Sequence, residues 1–391
     1  MSKKVVIKVN SASGKFLADW SETASFERFS KEINGGFSEC ILALAVPFDY
    51  QGGELNHGNI VDIYISDKDT IADGMVKIYS GYISTIEPNT DGKKEWITVN
   101  LLGFYTKMGT DILKDSSQVV LYSDAANGLT TSILSLAAAD IGLILRAIID
   151  RYRDETVNPR ISYTSASIPL VSQDAKYTIK LLTYKEAFEK ICAALPSWYY
   201  WHVDENGLIS VRQKPSTPTH TFEFSKHFKS VKINSSMEKI RNFVLVWNRD
   251  AIFNHYQNDA SISEYGRRAQ VIAENGIGDA DTAENIANKF LAENKDPVIT
   301  LVCEVIDNNF DAANGYDIES INPGDTCRFV GYDFSMMNFL YDNMLITKVD
   351  YMLDRAILTI ELNRAGMINW QKKTETKVSE LSSESCPETY S

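Results

Sequence analysis

The sequence is short of positive charge: 39 Lys and Arg stand against 52 Asp and Glu, a formal net charge of −13 at pH 7. Non-specific nucleic-acid binding needs clustered cations to displace counterions, so this balance argues against that class. It suits a surface that DNA passes without specific binding. The five cysteines (Cys40, Cys192, Cys303, Cys327, Cys386) form no CxxC pair and no short Cys/His spacing. Disulfide frameworks and zinc sites are therefore not expected, and reduced, mostly buried thiols in a chain made in a cytoplasm are. Residues 1–9 lack the apolar core of a signal peptide and read as a strand. The longest apolar stretch, 133–149, is interrupted by Asp140 and Arg146, whereas a membrane span needs about 20 largely uncharged residues. One or two buried helices are expected there. No GxGxxG or P-loop pattern occurs, which removes the usual nucleotide cofactor sites.

What is present is core-forming material. The chain has 391 residues, 44% of them hydrophobic, with 17 Phe, 19 Tyr and 6 Trp. Each large side chain contributes roughly 1.5–3 kcal/mol when fully buried. Residues 1–108 read as all-β, with strand-like runs at 5–9, 37–46, 60–65, 75–86 and 95–102 separated by Gly- and Asn-rich turns. Such spacing predicts a small barrel or sandwich, taken as a first β-barrel. Residues 109–215 read as mixed α+β. There Thr183 and Glu186 make a capping box, Phe188, Ile191, Cys192 and Leu195 line one helix face, and a DENG turn at 204–207 joins a hairpin.

Strand signals return at 216–250 and 298–368, predicting a second, discontinuous barrel. Residues 251–297 read as an insertion packing with the α+β region; its helix is expected to open at Asp281 with Glu284 as capping partner. Residues 369–391 are polar and read as a flexible tail. The expected fold class is thus mainly β with α+β insertions.

Two distant stretches share one grammar. The first runs 57–64 (HGNIVDIY), 79–86 (YSGYISTI) and 96–103 (WITVNLLG). The second runs 323–330 (PGDTCRFV), 342–349 (DNMLITKV) and 356–363 (AILTIELN). In each, a Gly-led turn enters a strand and two further strands alternate about a turn. The pattern predicts two related antiparallel barrels in one chain.

The order of these features resembles the bacteriophage tail hub proteins: baseplate hubs of contractile phages, the N-terminal part of siphophage tail-associated proteins, and the hub part of type VI secretion spikes. The resemblance spans residues 1–365 and rests on the two meanders, on residues 183–211, and on the SEYGRR run at 263–268 ahead of the insertion's helix. It implies a structural, non-enzymatic component of a virion tail, a homotrimer whose six barrels face a six-fold tail tube or distal tail protein. The other side would be three-fold and take a spike, fibre or lysin.

Catalytic alternatives are weak. None of the five His (His57, His202, His220, His227, His255) sits in a GxSxG elbow or an HExxH helix. The carboxylates Asp204 and Glu205, and Asp279, Asp281 and Glu284, are explained by a turn and a helix cap. Neither Asp307–Asp311 (DNNFD) nor 62–73 matches a calcium loop. No catalytic, cofactor or metal residue is assigned. The one functional candidate is the cluster Trp198, Tyr199, Tyr200 and Trp201, where exposed aromatics would give an interface, or the groove of a carbohydrate- or receptor-binding protein.

Overall fold

The computed structural model describes residues 4–361 other than 37–38, 48, 67–73, 114–132, 136–138, 176, 181, 248–252, 274–276, 332–343 and 353. The expected tail at 369–391 and Cys386 lie outside the described residues. The first stretch gives seven strands: β1 (Lys4–Asn10), β2 (Phe16–Asp19), β3 (Ala24–Glu32), β4 (Cys40–Leu44), β5 (Ile60–Ser66), β6 (Val76–Thr90) and β7 (Glu95–Leu102). Period-2 patterning selects strand here: in β7, Ile97, Val99 and Leu101 are buried while the residues between them are half-exposed.

The middle of the chain folds as β8 (Ile133–Ser135), β9 (Ala139–Asp140), α1 (Ile141–Glu155), β10 (Asp174–Ala175), β11 (Thr178–Lys180), α2 (Tyr184–Cys192), β12 (Tyr199–Val203) and β13 (Ile209–Gln213). The stretch expected to be wholly helical begins as a strand, because β8 pairs with β11. Asp140 interrupts the apolar run for a reason: its carboxylate accepts the Gly142 N–H at 2.8 Å as the cap of α1, and also those of Val171 (3.0 Å) and Ser172 (2.8 Å). The Thr183–Glu186 capping box forms and starts α2.

The remainder comprises β14 (His220–Glu223), the one-turn α3 (Phe224–His227), β15 (Phe228–Ser236), β16 (Phe243–Trp247), β17 (Phe253–Gln257), α4 (Asp259–Tyr265), β18 (Ala269–Ala273), α5 (Ala280–Asn294), β19 (Val298–Ile306), β20 (Thr326–Val330), β21 (Met344–Tyr351) and β22 (Arg355–Glu361). Two sequence expectations shift. Helix α5 does not open at Asp281: Asp279, in extended backbone, caps it by accepting the Thr282 N–H at 2.9 Å. Strand β16, expected with the second strand group, pairs with β17 and β18. Its inward residues Val244 and Val246 join the core built by α1, α2, α5 and the β12–β13 hairpin.

The two strand groups expected as separate barrels are bonded into one 13-stranded sheet, in the order β15-β19-β22-β21-β3-β4-β7-β6-β5-β1-β2, with β20 on β21 and β14 parallel to β20. Hydrogen bonding among the described residues closes neither group. The reason lies in β21, whose edge is divided: Met344 and Leu345 pair with β20, while Lys348–Tyr351 pair with Glu32 to Phe29 of β3. An edge that could have closed the second group on itself instead receives the first. One continuous apolar cluster lies along both groups, from Leu42, Ile63 and Val99 to Leu301, Phe329 and Ile360.

Four cysteines (Cys40, Cys192, Cys303, Cys327) are buried free thiols, as expected. Burial holds their pKa values up, that of Cys303 to about 12. Among the described residues no helix is long and apolar enough to cross a membrane.

Phe29 sits at the junction, buried, with its ring stacked on Tyr351 at 4.7 Å. Phe29→Ala is expected to destabilise the protein by about 3–5 kcal/mol, read as a lowered denaturation midpoint in urea.

Candidate functional site

The junction of β3 and β21 is where three parts of the chain meet. Beyond β3, Asn34 adopts a left-handed backbone (φ 54°), which Asn tolerates better than most residues. Its amide accepts the Trp201 N–H at 3.0 Å, and its own N–H donates to the Trp201 carbonyl at 2.6 Å. A strand of the first group is thereby bonded to β12 of the α+β region. From the third side comes the turn at 322–325. Gly324, at φ +93°, lies so close to the Tyr200 ring that a Cβ there would overlap it. Tyr200, Ile33 and Leu345 make a small separate core at this meeting point.

Polar side chains tie the same place together. The Nζ of Lys31 is 3.8 Å from Glu205 and 3.4 Å from the Asn322 amide oxygen, and sits 5.5 Å above the Tyr351 ring. Burial pulls its pKa down, and the carboxylates of Glu205, Asp204 and Asp325 oppose that. His220 uses both ring nitrogens, with Nδ1 2.9 Å from the Tyr316 hydroxyl and Nε2 3.0 Å from Asp325. Asp325 also accepts the Asn322 N–H at 2.8 Å, so His220 braces the turn that carries Gly324. His202 is mostly buried beside Arg212 and Lys31, and its Nδ1 has no hydrogen-bond partner among the described residues. Burial, then those two cations, lower its pKa to about 4.

The turn at 322–325 has a counterpart in the first group. Gly58 donates its N–H to Ile83 O (2.9 Å), Ile83 N–H donates to Asn59 O (2.8 Å), and Asn59 N–H to Asn56 O (3.1 Å). Gly324 bonds to Ile346 O (2.7 Å), Ile346 to Asp325 O (2.9 Å), and Asp325 to Asn322 O (3.1 Å). Both glycines have positive φ, +84° and +93°. The strand that follows each turn pairs with the next, giving meanders β5-β6-β7 and β20-β21-β22. Each middle strand carries a bulge where it meets the third, between Ile83 and Thr85 in one and Ile346 and Lys348 in the other.

Of the aromatic cluster, three members are buried. Trp201 packs 4.9 Å from Tyr105 and 5.2 Å from Phe188 in the α+β core, Tyr199 lies on the same face, and Tyr200 covers Gly324. Both faces of the strand are thus used inside the chain, and Trp198 alone is exposed, at 58%. Three of the five carboxylate candidates have local tasks. Asp204 accepts the N–H groups of Asn206 (2.8 Å) and Leu208 (2.9 Å), Glu205 faces Lys31, and Asp279 caps α5. His57 and His255 are exposed, and His227 Nδ1 accepts the Glu223 N–H at 2.9 Å. No group of three or more His, Cys, Asp or Glu among the described residues is placed to hold a metal ion.

Sequence reasoning missed β3, Lys31, Asn34 and the His220–Asp325 pair. A signal existed for the last, the PGD turn at 323–325, but its partner lies on a strand far away in sequence.

No family model and no curated protein matches the sequence. The fold does match solved structures. It is similar to a prophage MuSo2 43 kDa tail protein from Shewanella oneidensis (TM-score 0.59, 13% identity, covering 92% of this chain and 98% of that one). It is also similar to a tail protein from Neisseria meningitidis MC58 (0.56, 10%, 92% and 96%) and prophage tail protein gp18 from Listeria monocytogenes EGD-e (0.54, 11%, 96% and 99%). The chain shares its fold, over nearly its whole length, with phage tail proteins.

Gly324→Ala is expected to cost at least about 2 kcal/mol, from backbone strain and overlap with Tyr200, measured by chemical denaturation. His202 gives a pH signature. Between pH 6.5 and about 4 the unfolded chain takes up a proton that the folded chain refuses, so stability falls as pH drops through that window. The loss approaches about 3 kcal/mol. His202→Gln should flatten that part of the stability–pH curve.

Proposed function

We propose that this chain is a structural subunit of a phage tail or phage-like injection particle, a hub that closes as a trimeric ring. The observation that carries this reading is the paired architecture: two meanders with the same Gly-led turn, the same backbone hydrogen bonds and a bulge at the same place. Coincidence at all three levels supports two related barrel-like units in one chain. Three such chains present six similar units on one side while remaining three-fold on the other. That is the geometry needed to join a six-fold tail tube or distal tail protein to a three-fold spike, fibre or lysin.

The fold shared with tail proteins supports a place in the virion tail. A non-catalytic role is favoured because Asp204, Glu205, Asp279 and His220 serve a turn, a cap and the junction. A carbohydrate- or receptor-binding groove at 198–201 is less well supported, since Trp198 alone of the four is exposed. The ring would let DNA or a tape-measure protein through without specific contacts, in keeping with the chain's net charge of −13.

The test is native mass over a concentration series, with negative-stain imaging. Three copies of the 43.9 kDa chain, 131.7 kDa, around a central hole are expected. A monomer at every concentration, with and without the tail-tube protein, would overturn the ring. Release of soluble sugar from purified peptidoglycan would overturn the non-catalytic reading.

A further inference from the structure

The sheet β17-β16-β18 has two different faces. Its inner face, with Val244, Val246, Tyr256 and Ile272, packs into the α+β core. Register places Leu245 beside Val271 and His255 on the outer face, with Trp247 beside Ala273. Trp247 is 40% and Val271 42% exposed. None of the outward positions on β16 and β18 (Phe243, Leu245, Trp247, Ala269, Val271, Ala273) is acidic, in a chain with 52 acidic residues. Arg267 lies over the Phe243 ring at 3.6 Å and makes no ion pair with any described carboxylate. Among the described residues the face is thus apolar along β16 and β18 and marked by the Arg267 cation, and along β17 it carries the exposed His255 and Gln257, whose amide donates to Asp259 (2.7 Å).

A surface of the opposite character lies between β19 and β20. The segment 307–322 contains no Lys or Arg and four carboxylates, of which Asp307 is buried while Asp317 is exposed and Asp311 and Glu319 are half-exposed. Phe310 stands at its tip, 55% exposed. The loop is held in shape by its own bonds: Phe310 N–H to Asp307 O (3.0 Å), Asp311 N–H to Asp307 O (3.1 Å), and Asp311 Oδ1 accepting from Ala313 (3.2 Å) and Asn314 (3.1 Å). A preformed loop loses little freedom on docking.

We infer that the outer face of β17-β16-β18 receives the Phe310 loop of a second copy of this chain, with Phe310 on Trp247 and Val271 and the loop's carboxylates near Arg267. Charge chooses the geometry. A face meeting its own copy would put two Arg267 cations into one interface, whereas face against loop pairs opposite charges. Such a contact is heterologous, and a heterologous contact builds a ring when its rotation closes. The inference rests on the ring reading above and names the contact that would build it.

The test uses the full chain with the photo-crosslinking residue p-benzoylphenylalanine in place of Val271, and a control with it in place of Val157, which is also exposed. Irradiation of the oligomer is expected to join position 271 to residues 307–319 of another copy, and the control is not. Phe310→Ala and Arg267→Glu should each weaken association by at least about tenfold, with the far-UV circular dichroism of the chain unchanged. A trimer whose cross-links from 271 fall elsewhere, or whose assembly both variants leave intact, overturns this contact and leaves the ring standing. A chain that is monomeric under all conditions overturns the contact and the ring together.

Discussion

Four residues of β3 pair with four of β21, and most of the molecule's organisation follows from that ladder. Without it, two strand groups would each end in an open edge, and open edges recruit whatever strand is nearest. With it, the edges satisfy one another, Phe29 stacks on Tyr351, and a single apolar cluster extends under both groups. The ladder also fixes where β3 ends. Ile33 and Asn34 emerge beside β12, so the α+β region is bonded to the sheet at the place where the sheet is joined.

The polar residues gathered there are better explained by placement than by stabilisation. Taking Lys31 and His202 out of water costs free energy, as the downward pull of burial on both pKa values records. Lys31 recovers part of it from Glu205 and Asn322. Apolar packing would hold three segments together in several registers; a lysine between two partners and an asparagine bonded to both the N–H and the carbonyl of Trp201 hold them in one. His220, bracing Asp325 from the far side, does the same for the turn.

How far the sequence reveals this depends on whether a signal is local. The capping box at Thr183, the turn at 204–207 and the alternation in β7 are satisfied within a few residues, and each was readable. Strand β3 was not. Its two phenylalanines, Phe26 and Phe29, stand three apart in sequence with charged residues between them, and a register shift between Phe26 and Arg28 accommodates a spacing that hides the period of 2. The start of α5 moved because two acidic residues compete to cap it, and backbone geometry chose Asp279. In 198–201 the alternation was visible, but both faces are used inside the chain: on the second one Tyr200 is covered by Gly324 and Leu345 from elsewhere in the chain. Local pattern says which residues share a face and not what will cover it.

The two Gly-led turns carry that point further. Their backbone hydrogen bonds correspond one for one, yet their surroundings do not. A Cβ on Gly324 would meet Tyr200, while one on Gly58 would meet nothing within 4 Å. Asp325 is gripped by His220, whereas Asn59 turns its amide to the Glu54 carbonyl. The backbone pattern is what a strand, a bulge and a tight turn need in order to form at all. The coverings are what a particular neighbourhood adds. Two units that keep the first and differ in the second remain alike in fold while offering different surfaces. A chain that must meet repeated partners on one side and a distinct one on the other needs that combination. The glycine is common to both because its backbone angle is fixed by the turn, and the residue above it is free to change because nothing in the turn depends on it.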